Sequence, residues 1–204
     1  MKTISFHLQG NPHGCIAFVD LFGLKTLFPL LTNCGKGKHA GDKEFDETVI
    51  SCLLSLVKSL TPDEPDRHKR LMNKFTELNF DKINKLVEMY QRYATIVEQA
   101  DKDNSDINGD NDEDTAEQKL LDRLDAGLYT LQSICLILAY LAAWNEDIRN
   151  YLSDLFEANS MSLNEPAKYL AELEGQVGSE TEKESIAKIV KESIIFSPQT
   201  KASN

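Results

Sequence analysis

The stretch that decides the fold is Thr115–Trp144, TAEQKLLDRLDAGLYTLQSICLILAYLAAW. Thr115 and Gln118 have the spacing of a capping box, so we expect the longest helix of the chain to begin at Thr115. From Ile134 onward nearly every face is apolar, so we expect other helices to surround that half. Apolar residues recur along the stretch at steps of three and four, the spacing of one helix face: Leu121, Leu124, Leu128, Leu131, Cys135, Leu138 and Ala142.

The same spacing predicts further helices on both sides of this stretch. They cover residues 13–22 and 24–31, with a break at Gly23, and then 42–60, 65–77, 81–100, 146–159, 164–176 and 179–195. Asp42 or Asp46 is placed to cap the helix over 42–60, and Pro65 suits the first turn of the next one. No segment alternates with period two, so we predict an all-α protein. Helices joined by short turns favour stacked pairs in a solenoid, but without a sequence period a compact bundle stays open.

The composition is that of an acidic globular protein. The chain has 204 residues, of which 41% are hydrophobic, and a net charge of −11. Residues 101–117 hold eight acids and one base, so most of the negative charge lies in that segment. An acidic chain disfavours direct binding to nucleic acid, because such binding depends on neutralising phosphates.

The acidic segment Asp101–Glu117, DKDNSDINGDNDEDTAE, has the outline of a calcium-binding loop between two helices. In a loop that begins at Asp106, Asn111 occupies the sixth position, where the sharp turn needs glycine. Glu113 occupies the eighth position, where an apolar residue would pack inward. We therefore favour an acidic flexible linker over residues 102–114. A calcium-responsive helical regulator is the alternative, and a calcium-dependent rise in melting temperature would establish it. Its ligands would be Asp106, Asn108, Asp110, Asp112 and Glu117, with Asp114 at the ninth position.

Other candidate sites also have simple structural interpretations. The loop Cys34–Gly41, CGKGKHAG, lacks the Ser/Thr ending and the preceding strand of a phosphate loop, so we predict a mobile basic connection between two helices. The basic run Arg67–Arg70 is either an exposed helix face or a docking patch. The four cysteines are widely spaced, which favours buried free thiols over disulfides: Cys15, Cys34, Cys52 and Cys135.

The motifs of common enzymes and membrane proteins are absent from the sequence. HExxH, GxSxG, GxGxxG and CxxC do not occur, and the four histidines lack the spacing of metal ligands, so we predict no enzyme, no cofactor and no metal. The N-terminus is not a signal peptide, because it has no long apolar run. The longest apolar run, Ile134–Trp144, is too short to span a membrane. We expect an intracellular protein that does not interact with membranes.

Three ordered blocks resemble the C-terminal part of the β-catenin-like protein 1 family: GLKTLFPL (Gly23–Leu30), LMNKFTE (Leu71–Glu77) and RLDAGLYTLQSIC (Arg123–Cys135). FVD (Phe18–Asp20) and KLVEMYQRY (Lys85–Tyr93) fit the same order, so the likeness covers roughly Cys15–Ile148. The resemblance implies an armadillo-like helical solenoid in the nucleus that associates with the spliceosome through the NineTeen complex and its Myb-like component. It also implies binding to basic nuclear-localisation segments of splicing factors and, in vertebrates, to activation-induced cytidine deaminase.

These inferences predict five segments. They are armadillo-like helices over 1–101 and 115–159, an acidic flexible linker over 102–114, polar C-terminal helices over 160–195 and a tail over 196–204. A full-length family member would have further repeats before Met1, so we expect an N-terminally truncated chain. The leading hypothesis is a non-catalytic protein-interaction scaffold whose acidic groove meets basic segments. A fragment without independent function is a further alternative, and the oligomeric state stays open.

Overall fold

The computed structural model of the protein describes residues 2–107 and 113–196. Every regular element in these ranges is helical, which confirms the predicted all-α class. A 3-10 turn at Gly37–His39 precedes the fourth helix. The helices are α1 (Lys2–Leu8), α2 (Pro12–Asp20), α3 (Leu24–Asn33), α4 (Lys43–Ser59), α5 (Pro65–Ile107), α6 (Glu113–Ala126), α7 (Leu128–Trp144), α8 (Glu146–Ala158), α9 (Asn164–Gln176) and α10 (Glu180–Ser193).

Some helix boundaries lie where the sequence predicts them, at the start of α4 and at both ends of α9. The side chain of Asp42 accepts a hydrogen bond of 2.9 Å from the backbone N–H of Phe45, so Asp42 is the cap of α4. Helix α9 covers the predicted range 164–176. Helix α1 was not predicted, because Leu8 is its one buried side chain and so it shows no apolar stripe.

Helix α5 contains the predicted interruption between two helices. The backbone leaves the helical region at Glu77, where ψ is 156°, and Leu78, Asn79 and Phe80 have φ values of 54°, 52° and 58°. Three successive residues in the left-handed region redirect the chain, since residues other than glycine seldom adopt it. The second part of α5 then continues to Ile107, past the predicted start of the linker at residue 102.

The prediction of one helix from Thr115 to Trp144 is wrong. Helix α6 begins at Glu113, so Thr115 lies inside it rather than at its cap. The chain turns by 66° between the part of α6 from Ala116 onward and α7. The turn is at Gly127, whose φ of 105° suits glycine and not other residues. The apolar spacing continues unchanged through this glycine, which is why periodicity alone did not reveal the break.

Helix α7 lies at the centre of the fold, packed against α4, α5, α8, α9 and α10. All its residues from Thr130 to Ala142 are buried, as the apolar sequence of that half predicts.

Within the described ranges, no single helix is long and apolar enough to cross a membrane. Two bent helix pairs, α2 with α3 and the end of α6 with α7, have the length and composition only when each pair is taken together.

A buried ionic cluster joins α4 to α5 near the bend between α6 and α7. The carboxylate of Asp46, on α4, is 2% exposed and accepts hydrogen bonds from Arg92 and, at 3.0 Å, from the hydroxyl of Tyr93. Burial and the negative charge of Asp46 both raise the pKa of Tyr93, so its hydroxyl keeps the proton that it donates. We call Asp46, Arg92 and Tyr93 the Asp46 cluster.

Two glycines allow neighbouring chain segments to pack against this cluster. A Cβ atom on Gly127 would lie 2.6 Å from Cε1 of Tyr93, and one on Gly35 would lie 1.5 Å from Nη1 of Arg92. Both distances are far below van der Waals contact, and both glycines have positive φ. The bend between α6 and α7 therefore rests directly on the Tyr93 ring.

Replacing Gly127 with alanine tests this packing. The Cβ would collide with the Tyr93 ring, and alanine would have to adopt a left-handed backbone conformation. We therefore expect the free energy of unfolding to fall by about 2–4 kcal/mol. That loss corresponds to a melting temperature lower by about 5–12 °C for a chain of this size. Gly175→Ala is the matched control, because no atom lies within 4 Å of a Cβ placed at that position. Alanine has a higher helix propensity than glycine, so the stability of this variant should be equal to that of the native chain or slightly higher. Equal melting temperatures for Gly127→Ala and the native chain would show that the close approach is not needed.

Candidate interaction surface

A groove follows the outer face of α4, and it is formed by residues of several helices. Its first part is a cleft of about 540 Å³ between α1 and the start of α4. The apolar face of α4 points into the core, so the opposite, polar face of the same helix is left for the groove. The cleft is lined by Lys2, Ser5, Phe6, Gln9, Glu44, Glu47, Thr48, Ser51 and Tyr129.

A second cleft, of about 380 Å³, continues from the first along α4. Gln9, Ser51 and Tyr129 line both clefts, so they form one continuous depression that we call the α4 groove. The second cleft is mostly apolar, with hydroxyl groups on the α4 side. Its apolar lining includes Leu54, Leu136, Leu173, Val177 and Ile186, contributed by α4, α7, α9, α10 and the segment before α10.

The charges of the α4 groove are concentrated at its two ends. At the first end Lys2 forms an ion pair with Glu44. Glu47 lies beside them on the exposed side of α4 and forms no ion pair with any residue that the structure describes. At the far end of the second cleft Lys58 and Glu182 pair at 2.7 Å. The negative charge of Glu47 is therefore not balanced by an ion pair with a described residue, and it lies at the end of the groove near α1.

Two buried polar residues of α7 face this region. Gln132 and Ser133 are each 3% exposed, and both line the second cleft. The side-chain amide of Gln132 donates to the side-chain oxygen of Gln176 at 3.1 Å, which links α7 to the end of α9. Polar residues inside an otherwise apolar helix are a sequence signal for a groove at this position, and the predictions above made no use of Gln132 and Ser133.

The chain matches the family described as catenin-beta-like, Arm-motif containing nuclear, over residues 1–171. The chain belongs to the catenin-beta-like family. Beta-catenin-like protein 1 of Homo sapiens is 38% identical over 155 residues, which are 68% of this chain and 26% of that protein. The Bos taurus protein is 37% identical over the same shares, and the Schizosaccharomyces pombe homolog is 30% identical over 81% of this chain and 28% of its own length.

Membership of the catenin-beta-like family confirms the resemblance seen in the sequence. The Arm motif of the family, together with the packed helices of the structure, confirms the predicted armadillo-like helical solenoid. The chain spans about a quarter of the length of the curated relatives it matches. The family description places its members in the nucleus.

Two of the sequence blocks on which the family resemblance was based lie side by side at the Asp46 cluster. Arg92 and Tyr93 end the block KLVEMYQRY, and Gly127 lies within RLDAGLYTLQSIC. The Tyr93 ring lies against the backbone at Gly127, although the two blocks are separated in sequence. In this chain, Tyr93 and Gly127 therefore contribute to the packing of the helices.

The ligands of the calcium-loop alternative lie mostly outside the described residues. This holds for Asn108, Asp110 and Asp112, while Asp106 falls within the last turn of α5 and Glu117 lies on α6. Among the described residues no group of three or more acids, histidines or cysteines is arranged to hold a metal ion. The calcium loop and the linker both stay predictions.

Arg123 forms an ion pair with Asp101, at the start of the acidic segment. The guanidinium of Arg123 forms a two-point ion pair with Glu172, and its Nε lies 3.1 Å from Asp101. The carboxylate of Glu172 therefore raises the pKa of Arg123. This ion pair fixes α9 against α6.

The two basic motifs found in the sequence have structural contacts. In the loop Cys34–Gly41, His39 stacks on Phe45 with ring centroids 3.6 Å apart, and the mobility of the loop stays a prediction. Arg67 donates to both carboxylate oxygens of Asp20, and Arg70 donates to the backbone oxygen of Val19 at 2.7 Å. The Arg67 guanidinium lowers the pKa of Asp20. Both arginines thus join α5 to α2.

All four cysteines are free and buried, as the sequence predicts. Burial raises the pKa of each thiol, and the negative charge of Asp46 adds to this effect at Cys34. Because the thiolate is the reactive form, a buried thiol with a raised pKa reacts slowly. The cysteines are therefore core residues.

Thiol labelling tests this conclusion. In the native protein at pH 8, Ellman's reagent should modify fewer than about one thiol per chain, because access and ionisation are both suppressed. After unfolding in guanidinium, all four should react. An Ala171→Cys variant supplies a positive control, since position 171 is exposed on α9. Rapid reaction of two or more native thiols would contradict the burial described.

Proposed function

We propose that this protein is a non-catalytic interaction scaffold that works in the nucleus in association with the spliceosome. Its partners would be basic segments of splicing factors and components of the NineTeen complex. Membership of a nuclear Arm-motif family supports the scaffold role and the location. The resemblance to the β-catenin-like protein 1 family is what suggests the splicing partners.

The observation that carries the proposal is the α4 groove on a rigid helical stack. Residues of six helices, α1, α2, α4, α7, α9 and α10, form its walls, so the surface is formed before any partner arrives, and less ordering is needed on binding. The net charge of −11 favours encounter with basic partners. Such a scaffold acts by display and requires no reacting group.

Capture from nuclear extract tests the proposal. The immobilised 204-residue chain should enrich splicing components over an unrelated helical protein of similar net charge. An excess of a lysine- and arginine-rich peptide should release them, whereas a glutamate-rich peptide of equal length should not, because recognition depends on the sign of the charge. Quantitative mass spectrometry of the eluates measures both effects. Absence of enrichment, or equal release by both peptides, would contradict the proposed partners.

A further inference from the structure

We propose that the two clefts of the α4 groove bind one extended peptide segment that carries a basic side chain and, about three residues further along, an apolar side chain. This inference rests on the proposed function, and it adds a location for the binding site and a pattern for the ligand. The basic side chain would occupy the first cleft, beside α1. The apolar side chain would occupy the second.

The first cleft combines aromatic rings with carboxylates. Phe6 and Tyr129 are 76% and 39% exposed, which leaves large ring surfaces in contact with water. Glu44 and Glu47 line the same cleft, and Glu47 has no partner among the described ion pairs. Aromatic faces and carboxylates both attract cations, so the cleft suits a lysine or arginine side chain.

The second cleft suits an uncharged side chain. Its two charged lining residues, Lys58 and Glu182, are already paired with each other at 2.7 Å. Most of the remaining surface is aliphatic, from Leu54, Leu136 and Leu173 among others. An apolar side chain would remove this surface from water without leaving a buried charge unpaired. A cleft of about 380 Å³ falls within the size range of specific ligand sites.

The geometry of α4 sets the spacing between the two side chains. Glu47 lines the first cleft and Leu54 the second, and both lie on α4. A rise of about 1.5 Å per helical residue separates these positions by roughly 11 Å. An extended peptide advances about 3.3 Å per residue, so roughly three residues span that distance. Ser51 lies between the two positions and lines both clefts, so the segment can pass along the groove without leaving it.

Peptide titration measured by fluorescence anisotropy tests the proposal. The probe is a fluorescein-labelled peptide with the core Lys-Arg-Ser-Ser-Leu, titrated with the full chain. Replacing its leucine with serine, or its two basic residues with glutamine, should each weaken binding about tenfold, since each change empties one cleft. Moving the leucine next to the arginine should weaken binding by a similar factor.

Variants of the protein locate the site. Glu47→Lys should weaken binding of the probe about tenfold, because it reverses the charge of the first cleft. Glu157→Lys makes the same charge change on the exposed side of α8, outside both clefts, and should stay within about twofold of the native chain. Tyr129→Ser removes an aromatic wall without a charge change and should also weaken binding. Thermal melts confirm that each variant is folded.

The results of these titrations distinguish a wrong location of the binding site from a wrong proposed function. If basic peptides bind but Glu47→Lys and Glu157→Lys weaken them equally, the proposed function stands and the groove assignment is wrong. If the leucine position has no effect, the paired pattern is wrong. If no basic peptide binds at up to about 1 mM, the proposed function fails as well. Sedimentation showing a dimer that Glu47→Lys dissociates, with peptide affinity unchanged, would assign the groove to a second copy of the chain and overturn the proposal.

Discussion

The rest of the structure depends on the hydrogen bonds that the buried carboxylate of Asp46 accepts. This carboxylate binds Arg92 and Tyr93 and so joins α4 to the second part of α5. The Tyr93 ring lies against Gly127, and the chain turns there from α6 into α7. The position of α7 in turn sets one wall of the α4 groove. A buried charge with two donors is costly to break, because its removal leaves polar groups without partners.

The α4 groove follows from the two-sided character of α4. One face of this helix is apolar and packs into the core, and the other carries acids, serines and a lysine that face solvent. Neighbouring helices approach close enough to bury the base of that polar face but not to cover it. The surface is therefore continuous and chemically graded from an acidic, aromatic end to an apolar one, which are the properties of a site for an extended segment.

The sequence predicted several features of the fold that depend on local chemistry, although Thr115 lies inside α6 and not at its cap. Asp42 caps α4, and the break in α5 near Glu77 was found, because caps and interrupted apolar stripes are local signals. The bend at Gly127 was missed, since apolar spacing continues through it and the close approach to Tyr93 is a tertiary contact. The groove was missed for the same reason: its residues come from distant parts of the chain and meet only after folding.

A double-mutant cycle between Asp46 and Tyr93 is the most direct test of the central claim. Unfolding in urea would be measured for Asp46→Ala, Tyr93→Phe, the double variant and the native chain. A buried hydrogen bond to a charged group predicts a coupling free energy above about 1 kcal/mol, with the double variant losing less than the sum of the single losses. Additive losses within about 0.3 kcal/mol would contradict the claim that these two residues act together to hold α4, α5 and the bend at Gly127.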